Sequence, residues 1–132
     1  MVNTAKSKQI MQQLIILAAI FGALGVGIGA FGAHGLAARL EAHGRTDTFR
    51  TAMLYHLIHV LAILGAAWVF SQFNSQFSLY AGYAFVAGIL LFSGSLYVLA
   101  IFNIGIMGAV APLGGIAMIV GWVLLGIAAV QG

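Results

Sequence analysis

The sequence contains no cysteine, only one proline and very little charge: five lysine or arginine residues and two acidic residues among 132. The lack of cysteine excludes disulfides, a thiolate nucleophile and cysteine-ligated iron–sulfur or metal sites. The few basic residues cannot form the Lys- and Arg-rich face that a phosphate backbone requires, which excludes nucleic acid as a partner. What the chain has instead is apolar side chains, at 63% of residues. This balance lies outside soluble globular proteins and indicates an integral membrane protein.

The positions of the charges divide the chain into apolar stretches. No charge lies between Lys8 and Arg39, and none follows Arg50. A helix needs about 20 apolar residues to cross roughly 30 Å of hydrocarbon. On this scale the sequence predicts an all-α fold in a single domain, 1–132, with four transmembrane helices at about 11–36, 47–70, 79–102 and 108–130.

The segment between the first two spans carries most of the charge. In it Leu36, Leu40 and His43 recur at helical spacing, against Arg39 and Glu41. This pattern predicts a short amphipathic helix that lies at the membrane interface and ends at the glycine that follows His43.

Orientation follows less clearly from the charges. Four spans place both termini on one side of the membrane, so the count sets Lys6, Lys8 and the terminal amino group against Arg39, Arg45 and Arg50. Basic residues favour the cytoplasmic side, and the two counts are nearly equal. The positive-inside rule therefore leaves the orientation open.

Small residues recur in rows along the spans, at helical steps of three and four. The glycines of these rows are Gly22, Gly25, Gly29 and Gly32 in the first span, Gly88 in the third, and Gly114 and Gly121 in the fourth. Rows of small residues let helix backbones approach closely in lipid. We interpret them as packing surfaces of one bundle, with a dimerisation face or a channel lining as alternatives.

The single proline, Pro112, interrupts the fourth apolar stretch and predicts one of two structures. It can be a helix break that leaves the carbonyl of Gly108 without its donor and turns backbone groups toward a cavity. It can also be an early helical position, because residues 112–131 are long enough to form a span by themselves.

The polar residues of the spans gather in one half of the membrane. At about 1.5 Å per residue, His56 and His59 lie roughly 13 to 18 Å into the second span. Polar groups in hydrocarbon tend to face the bundle interior or a wet cavity, so we predict a polar pocket in this leaflet. The candidate lining residues are His34, Arg50, His56, His59, Ser93, Ser95, Tyr97 and Asn103.

Within this set we expect a cluster of His34, His59 and Tyr97, with Arg50 at its rim. His34, His56 and His59 could in principle supply three nitrogen ligands to a metal ion. No acidic residue follows Asp47, however, so no carboxylate is available deep in a span to complete a metal or proton-relay site. We therefore expect no metal, no cofactor and no catalytic residue.

Several stretches resemble a known family. They are GAFGAHGL at 29–36, TAMLYHLIHVLAIL at 51–64, LFSGSLY at 91–97 and APLGGIAMIVGW at 111–122. Together they resemble the domain-of-unknown-function 423 family of small bacterial inner-membrane proteins, which is similar to eukaryotic transmembrane protein 256. The resemblance implies a multi-pass protein of the inner membrane with cytoplasmic termini, although this chain lacks the basic residues of the second loop and C-terminus on which that orientation rests. It implies no particular activity.

Two classes of function stay open, and an enzyme ranks behind both. The first is a binding or transport-type protein whose polar pocket takes a small solute or a lipid headgroup. The second is a structural or accessory subunit of a larger membrane complex or a homo-oligomer. Membrane lipids are expected partners in either case. A polar cavity would favour the first class, and interior polar groups paired with one another would favour the second.

Overall fold

The computed structural model describes residues 3–132, which are helical with short connections and contain no β-strand. The elements in chain order are α1 (Thr4–Ala33), α2 (Ala37–Ala42), α3 (Thr46–Phe73), α4 (Gln76–Gly88), a π-helical turn (Ile89–Ser93), α5 (Gly94–Phe102) and α6 (Met107–Gln131). Four segments are long and apolar enough to cross a membrane: α1, α3, the continuous segment Gln76–Phe102, and α6. The all-α fold with four spans is confirmed.

The helices extend beyond the predicted spans at several ends, because local caps continue them past the apolar residues. The side chain of Asn3 accepts a hydrogen bond from the backbone N–H of Lys6 at 2.8 Å, so α1 begins well before residue 11. The C-terminal end of α3 likewise lies beyond the predicted span: the helix continues to Phe73 and stops at Asn74, whose φ of 51° is left-handed. Hydropathy locates the part of a helix that lies in lipid, whereas capping decides where the helix ends.

The predicted short helix between the first two spans is present as α2. Leu40 is buried, with 2% of its surface exposed, and belongs to a cluster with Phe49, Ala52 and Tyr97. At the end of α2, Nδ1 of His43 lies 3.0 Å from the carbonyl oxygen of Ala100, to which it donates. The amphipathic helix therefore closes one end of the bundle, with its apolar face toward α3 and α5.

Helix α3 is the central element and contacts every other helix. Helix α1 packs mainly along α3, and α6 packs along α4 and the π-helical turn. No packing contact joins α1 to α5 within the described part of the chain. The two helices consequently leave a gap between them on the side of the membrane that holds α2.

The four glycines of the predicted row in the first span face α3. Gly22, Gly25, Gly29 and Gly32 lie opposite Val60, Leu57, Met53 and Phe49, respectively. The two series run in opposite directions along the chain, as two antiparallel helices in one register require. A Cβ atom on Gly25 would lie 2.7 Å from Cδ2 of Leu57, so the large side chains of α3 occupy the space that the glycines leave free.

A second glycine contact joins α6 to the third span. A Cβ atom on Gly121 would lie 2.6 Å from the ring of Phe85, and one on Gly88 would meet the side chain of Met118. A Cβ atom on Gly114 would run into the backbone of Phe92 in the π-helical turn. The two spans therefore approach backbone to backbone at Gly114.

The predicted helix break at Pro112 is wrong. Helix α6 is continuous from Met107 to Gln131 and includes Pro112 within its first two turns. Proline removes only one backbone donor, the one that would reach the carbonyl of Gly108, and membrane helices tolerate this loss. The alternative interpretation, an early helical position, describes this residue.

Candidate functional site

His56 lies at the meeting point of three helices. Its Nε2 atom is 2.8 Å from the carbonyl oxygen of Phe21 in α1, and its Nδ1 atom is 2.8 Å from the hydroxyl of Tyr97 in α5. A carbonyl oxygen only accepts, so Nε2 carries the hydrogen and donates, and Nδ1 accepts from the hydroxyl of Tyr97. Both ring nitrogens of a neutral imidazole are thereby satisfied, and the residue is 2% exposed.

The glycine row of α1 makes this contact possible. In a helix the carbonyl of residue 21 points toward residue 25, whose backbone N–H it accepts. A Cβ atom on Gly25 would lie 3.3 Å from Nε2 of His56. The absence of a side chain at this position therefore gives the imidazole access to the carbonyl of Phe21.

His59 makes a separate set of contacts, with α6. Its Nδ1 atom is 2.7 Å from the carbonyl oxygen of Tyr55, one turn earlier, and its Nε2 atom is 3.0 Å from Nε1 of Trp122. The indole N–H can only donate, so Nε2 accepts from Trp122 and Nδ1 donates to Tyr55. The ring also stacks parallel to Tyr55 and contacts Phe85. His56 and His59 therefore serve different helix contacts.

The two serines tie the π-helical turn to its surroundings. The hydroxyl of Ser93 donates to the carbonyl oxygen of Ala52 in α3 at 2.7 Å. The hydroxyl of Ser95 lies 2.5 Å and 3.0 Å from the carbonyl oxygens of Leu91 and Phe92 in the turn. Ser93 thus joins the π-helical turn to α3, and Ser95 provides a hydrogen-bond donor for carbonyl groups of the turn itself.

The other three predicted lining residues lie at the surface. His34 follows the end of α1 and is exposed. The exposed Arg50 forms an ion pair with Asp47 at 3.7 Å. Asn103 ends α5 with a left-handed φ of 54°, and its side-chain oxygen is 3.5 Å from Nε of Arg45.

The expected cluster of His34, His59 and Tyr97 is wrong. Tyr97 pairs with His56, and His59 pairs with Trp122. Counting residues along each helix gave the depth of these side chains. It could not give the direction in which each side chain points around its helix axis, and that direction decides the partners. Within residues 3–132 every buried side-chain nitrogen and oxygen has a hydrogen-bond partner. The buried histidines, serines and Tyr97 are therefore hydrogen-bonded to other groups of the bundle.

A groove at the membrane interface, here the interfacial groove, has a volume of about 610 Å³. It lies between the end of α1, the helix α2 and the start of α3. Its floor is apolar and includes Gly29, Gly32, Phe49 and Met53. Its rim is polar, with Glu41, Thr46 and Arg50. Of the predicted lining residues only Arg50 is found here.

A second depression, the lateral cleft, fills the gap between α1 and α5. It measures about 710 Å³ and is lined only by apolar residues, which include Ala23, Gly27 and Phe31 of α1 and Ile101 of α5. It opens sideways between two spans, toward lipid.

Sequence reasoning missed several of the residues that complete these sites. Trp122 carries no polar neighbour in sequence, so nothing indicated that its indole reaches His59. Glu41 and Thr46 were visible as rare polar residues between the first two spans. They lie on either side of the turn between α2 and α3, which suggests that their side chains are close. Only the folded structure shows that both line one groove.

The fold and these sites define an integral membrane protein, a four-span bundle closed at one end by an interfacial helix. Residues 28–115 match the family model described as "Protein of unknown function (DUF423)". The chain therefore belongs to the DUF423 family.

Named relatives cover nearly the whole chain. It is 42% identical over 122 residues to the UPF0382 membrane protein YwdK of Bacillus subtilis, which covers 92% of this chain and 98% of that protein. It is 37% identical over 121 residues to a UPF0382 membrane protein of Staphylococcus epidermidis, with 92% and 98% covered. It is 36% identical over 118 residues to the UPF0382 inner membrane protein YgdD of Escherichia coli, with 89% of each chain covered. No solved structure matches the chain.

Proposed function

We propose that this protein is a non-enzymatic lipid-binding protein of the membrane, and that a phospholipid occupies the interfacial groove. The observation that carries the proposal is the composition of this groove: a polar rim of Glu41, Thr46 and Arg50 above an apolar floor. A phospholipid has the same division, with a polar headgroup above apolar chains. The buried polar residues inside the bundle offer no comparable site, since their side chains are hydrogen-bonded within the described range 3–132.

The depth of the lining residues supports a lipid. Thr46 begins α3, and Phe49 and Met53 follow at about 4.5 and 10 Å along the helix axis, at 1.5 Å per residue. Polar groups thus lie at the level of the headgroups, and the aromatic and thioether side chains lie at the level where acyl chains begin. A small polar solute would have no reason to prefer the apolar floor.

Mass spectrometry of the intact protein, released from lipid nanodiscs under native conditions, tests the proposal. Ala37→Phe places a ring in the groove, because Ala37 lines it. Ala38→Phe is the matched control, since Ala38 is also exposed on α2 but does not line the groove. We expect the unmodified protein and Ala38→Phe to retain one phospholipid, and Ala37→Phe to lose it. Equal retention by all three proteins, or none by any, would contradict lipid binding in this groove.

The second candidate function is that of an accessory subunit or homo-oligomer. It is favoured by the outer helices: in their most apolar windows only 17% of α1 and 22% of α6 is buried, against 50% of α3. Broad apolar faces of this kind can pack against lipid or against another membrane protein. The same mass spectra distinguish these cases, because a stable complex appears as a dimer or as a larger assembly.

We place the protein in the bacterial inner membrane with both termini in the cytoplasm. The location is supported by the Escherichia coli relative, which is named as an inner membrane protein. The orientation is supported by Lys6 and Lys8 at the start of α1 and by the family resemblance. In this orientation the interfacial groove opens to the outer leaflet.

A further inference from the structure

We infer that the interfacial groove selects a phospholipid with a phosphoethanolamine headgroup. The inference rests on the lipid-binding function proposed above and adds the chemistry of the headgroup. It follows from the charges that line the groove, which are of both signs.

Arg50 provides the group for the phosphate. Its guanidinium has five N–H donors, and its one ion-pair contact, to Asp47 at 3.7 Å, is long and solvent-exposed. Most of the donors are therefore free. A guanidinium binds two oxygens of a phosphate with two parallel hydrogen bonds, which makes it a suitable anchor for the phosphodiester.

Glu41 provides the group for an ammonium. It lines the same groove, on α2, and forms no ion pair with any residue of the described range 3–132. An ionised carboxylate only accepts hydrogen bonds, and a primary ammonium only donates them. The headgroup that pairs with both side chains carries a phosphate and an ammonium a few bonds apart.

The charge balance at the rim argues against other headgroups. Glu41 and Arg50 are the two charged side chains that line the groove. An anionic headgroup without an ammonium can pair with Arg50, but it leaves the carboxylate of Glu41 unpaired, and the two negative charges repel each other. A choline headgroup is neutral overall, but its quaternary nitrogen has no N–H to donate to Glu41. Phosphoethanolamine satisfies the guanidinium and the carboxylate together.

The remaining basic residues near this surface do not alter the balance. Arg39 is exposed on α2 and does not line the groove, and Arg45 is directed to Asn103. His43 is directed to the carbonyl of Ala100 at the end of α5. The groove is thus lined by one cationic side chain, Arg50. Its volume, about 610 Å³, is typical of a site for a small molecule.

The test is a competition in nanodiscs that contain equal amounts of phosphatidylethanolamine, phosphatidylglycerol and phosphatidylcholine with identical acyl chains. The retained lipid is identified by mass spectrometry of the intact protein. We expect phosphatidylethanolamine to be retained about tenfold over each of the others, since one charge-assisted hydrogen bond has about this effect.

Two variants assign the selectivity to its residues. Glu41→Gln removes the carboxylate, so the preference over phosphatidylglycerol should fall from about tenfold to about equal retention. Arg50→Gln removes the phosphate anchor and should lower retention of all three lipids. Arg39→Gln is the matched control, an equal loss of charge outside the groove, and should leave the retention and the preference unchanged.

The outcomes separate the headgroup from the binding function. Equal retention of the three lipids by the unmodified protein, still abolished by Ala37→Phe, would overturn the phosphoethanolamine assignment and leave lipid binding intact. A preference for phosphatidylglycerol or phosphatidylcholine would do the same. Retention that Ala37→Phe does not reduce would overturn both the headgroup assignment and the proposed function.

Discussion

Nδ1 of His56 and the hydroxyl of Tyr97 lie 2.8 Å apart, a hydrogen bond that joins the second span to the third inside the bundle. Because the other imidazole nitrogen donates to the carbonyl of Phe21, a single side chain links three helices. The residue that a sequence reader would consider for metal or proton chemistry thus has both of its nitrogens engaged in helix packing.

The first prediction concerns this bond. Tyr97→Phe removes the hydroxyl and leaves Nδ1 of the buried His56 without a donor. We expect a loss of about 1 kcal/mol in stability, up to roughly 2 kcal/mol, as for other hydrogen bonds between membrane helices. Thermal unfolding in detergent measures it. The control is Tyr83→Phe, which removes an exposed hydroxyl bonded to Gln13 at 3.3 Å; equal effects of the two substitutions would contradict the role of the buried bond.

The second prediction concerns the link between α3 and α6. Trp122→Phe removes the indole N–H that donates to Nε2 of His59. We expect a stability loss of about 1 kcal/mol in the same assay. Trp68→Phe is the control, because Trp68 is 62% exposed and its indole has no hydrogen bond within the described residues. If Trp122→Phe unfolds at the temperature of the control, the bond to His59 contributes nothing.

The third prediction concerns the closest approach of two backbones. Gly114→Ala places a methyl group against the backbone of Phe92, which cannot move without shifting the π-helical turn. We expect a loss of about 1 to 3 kcal/mol, the usual cost of overpacking. Gly126→Ala tests the same substitution in the same helix where nothing lies within 4 Å, and it should be neutral or raise stability by up to about 1 kcal/mol. A stable Gly114→Ala protein would show that the helices can separate here at no cost.

The fourth prediction concerns orientation. The chain has no cysteine, so a single introduced cysteine can be labelled without background. With cytoplasmic termini, a membrane-impermeant maleimide should label Ala38→Cys in intact cells and should reach Gln131→Cys only after the membrane is opened. The reverse pattern would invert the proposed orientation and place the interfacial groove in the inner leaflet.

Much of the fold was predictable because it depends on properties of contiguous segments. The length of each apolar stretch determines the number of spans, and the helical spacing of Leu36, Leu40 and His43 against two charged residues predicted α2. Helix ends were less accurate, since Asn3 and Asn74 act through caps outside the apolar stretches. At Pro112 the sequence allowed a helix break or an early helical position, and the continuous α6 corresponds to the early helical position.

The sequence by itself determined a membrane protein with four helical spans, an interfacial helix and polar residues in one half of the bundle, because hydropathy and helical rise are local quantities. Only the tertiary structure decided that Tyr97 meets His56 rather than His59, and that Glu41 and Arg50 share one groove. The reason is that counting residues gives the depth of a side chain, whereas its partner depends on the rotation of each helix about its axis. That rotation is set by the packing of distant residues, such as Gly25 against Leu57 and Gly121 against Phe85.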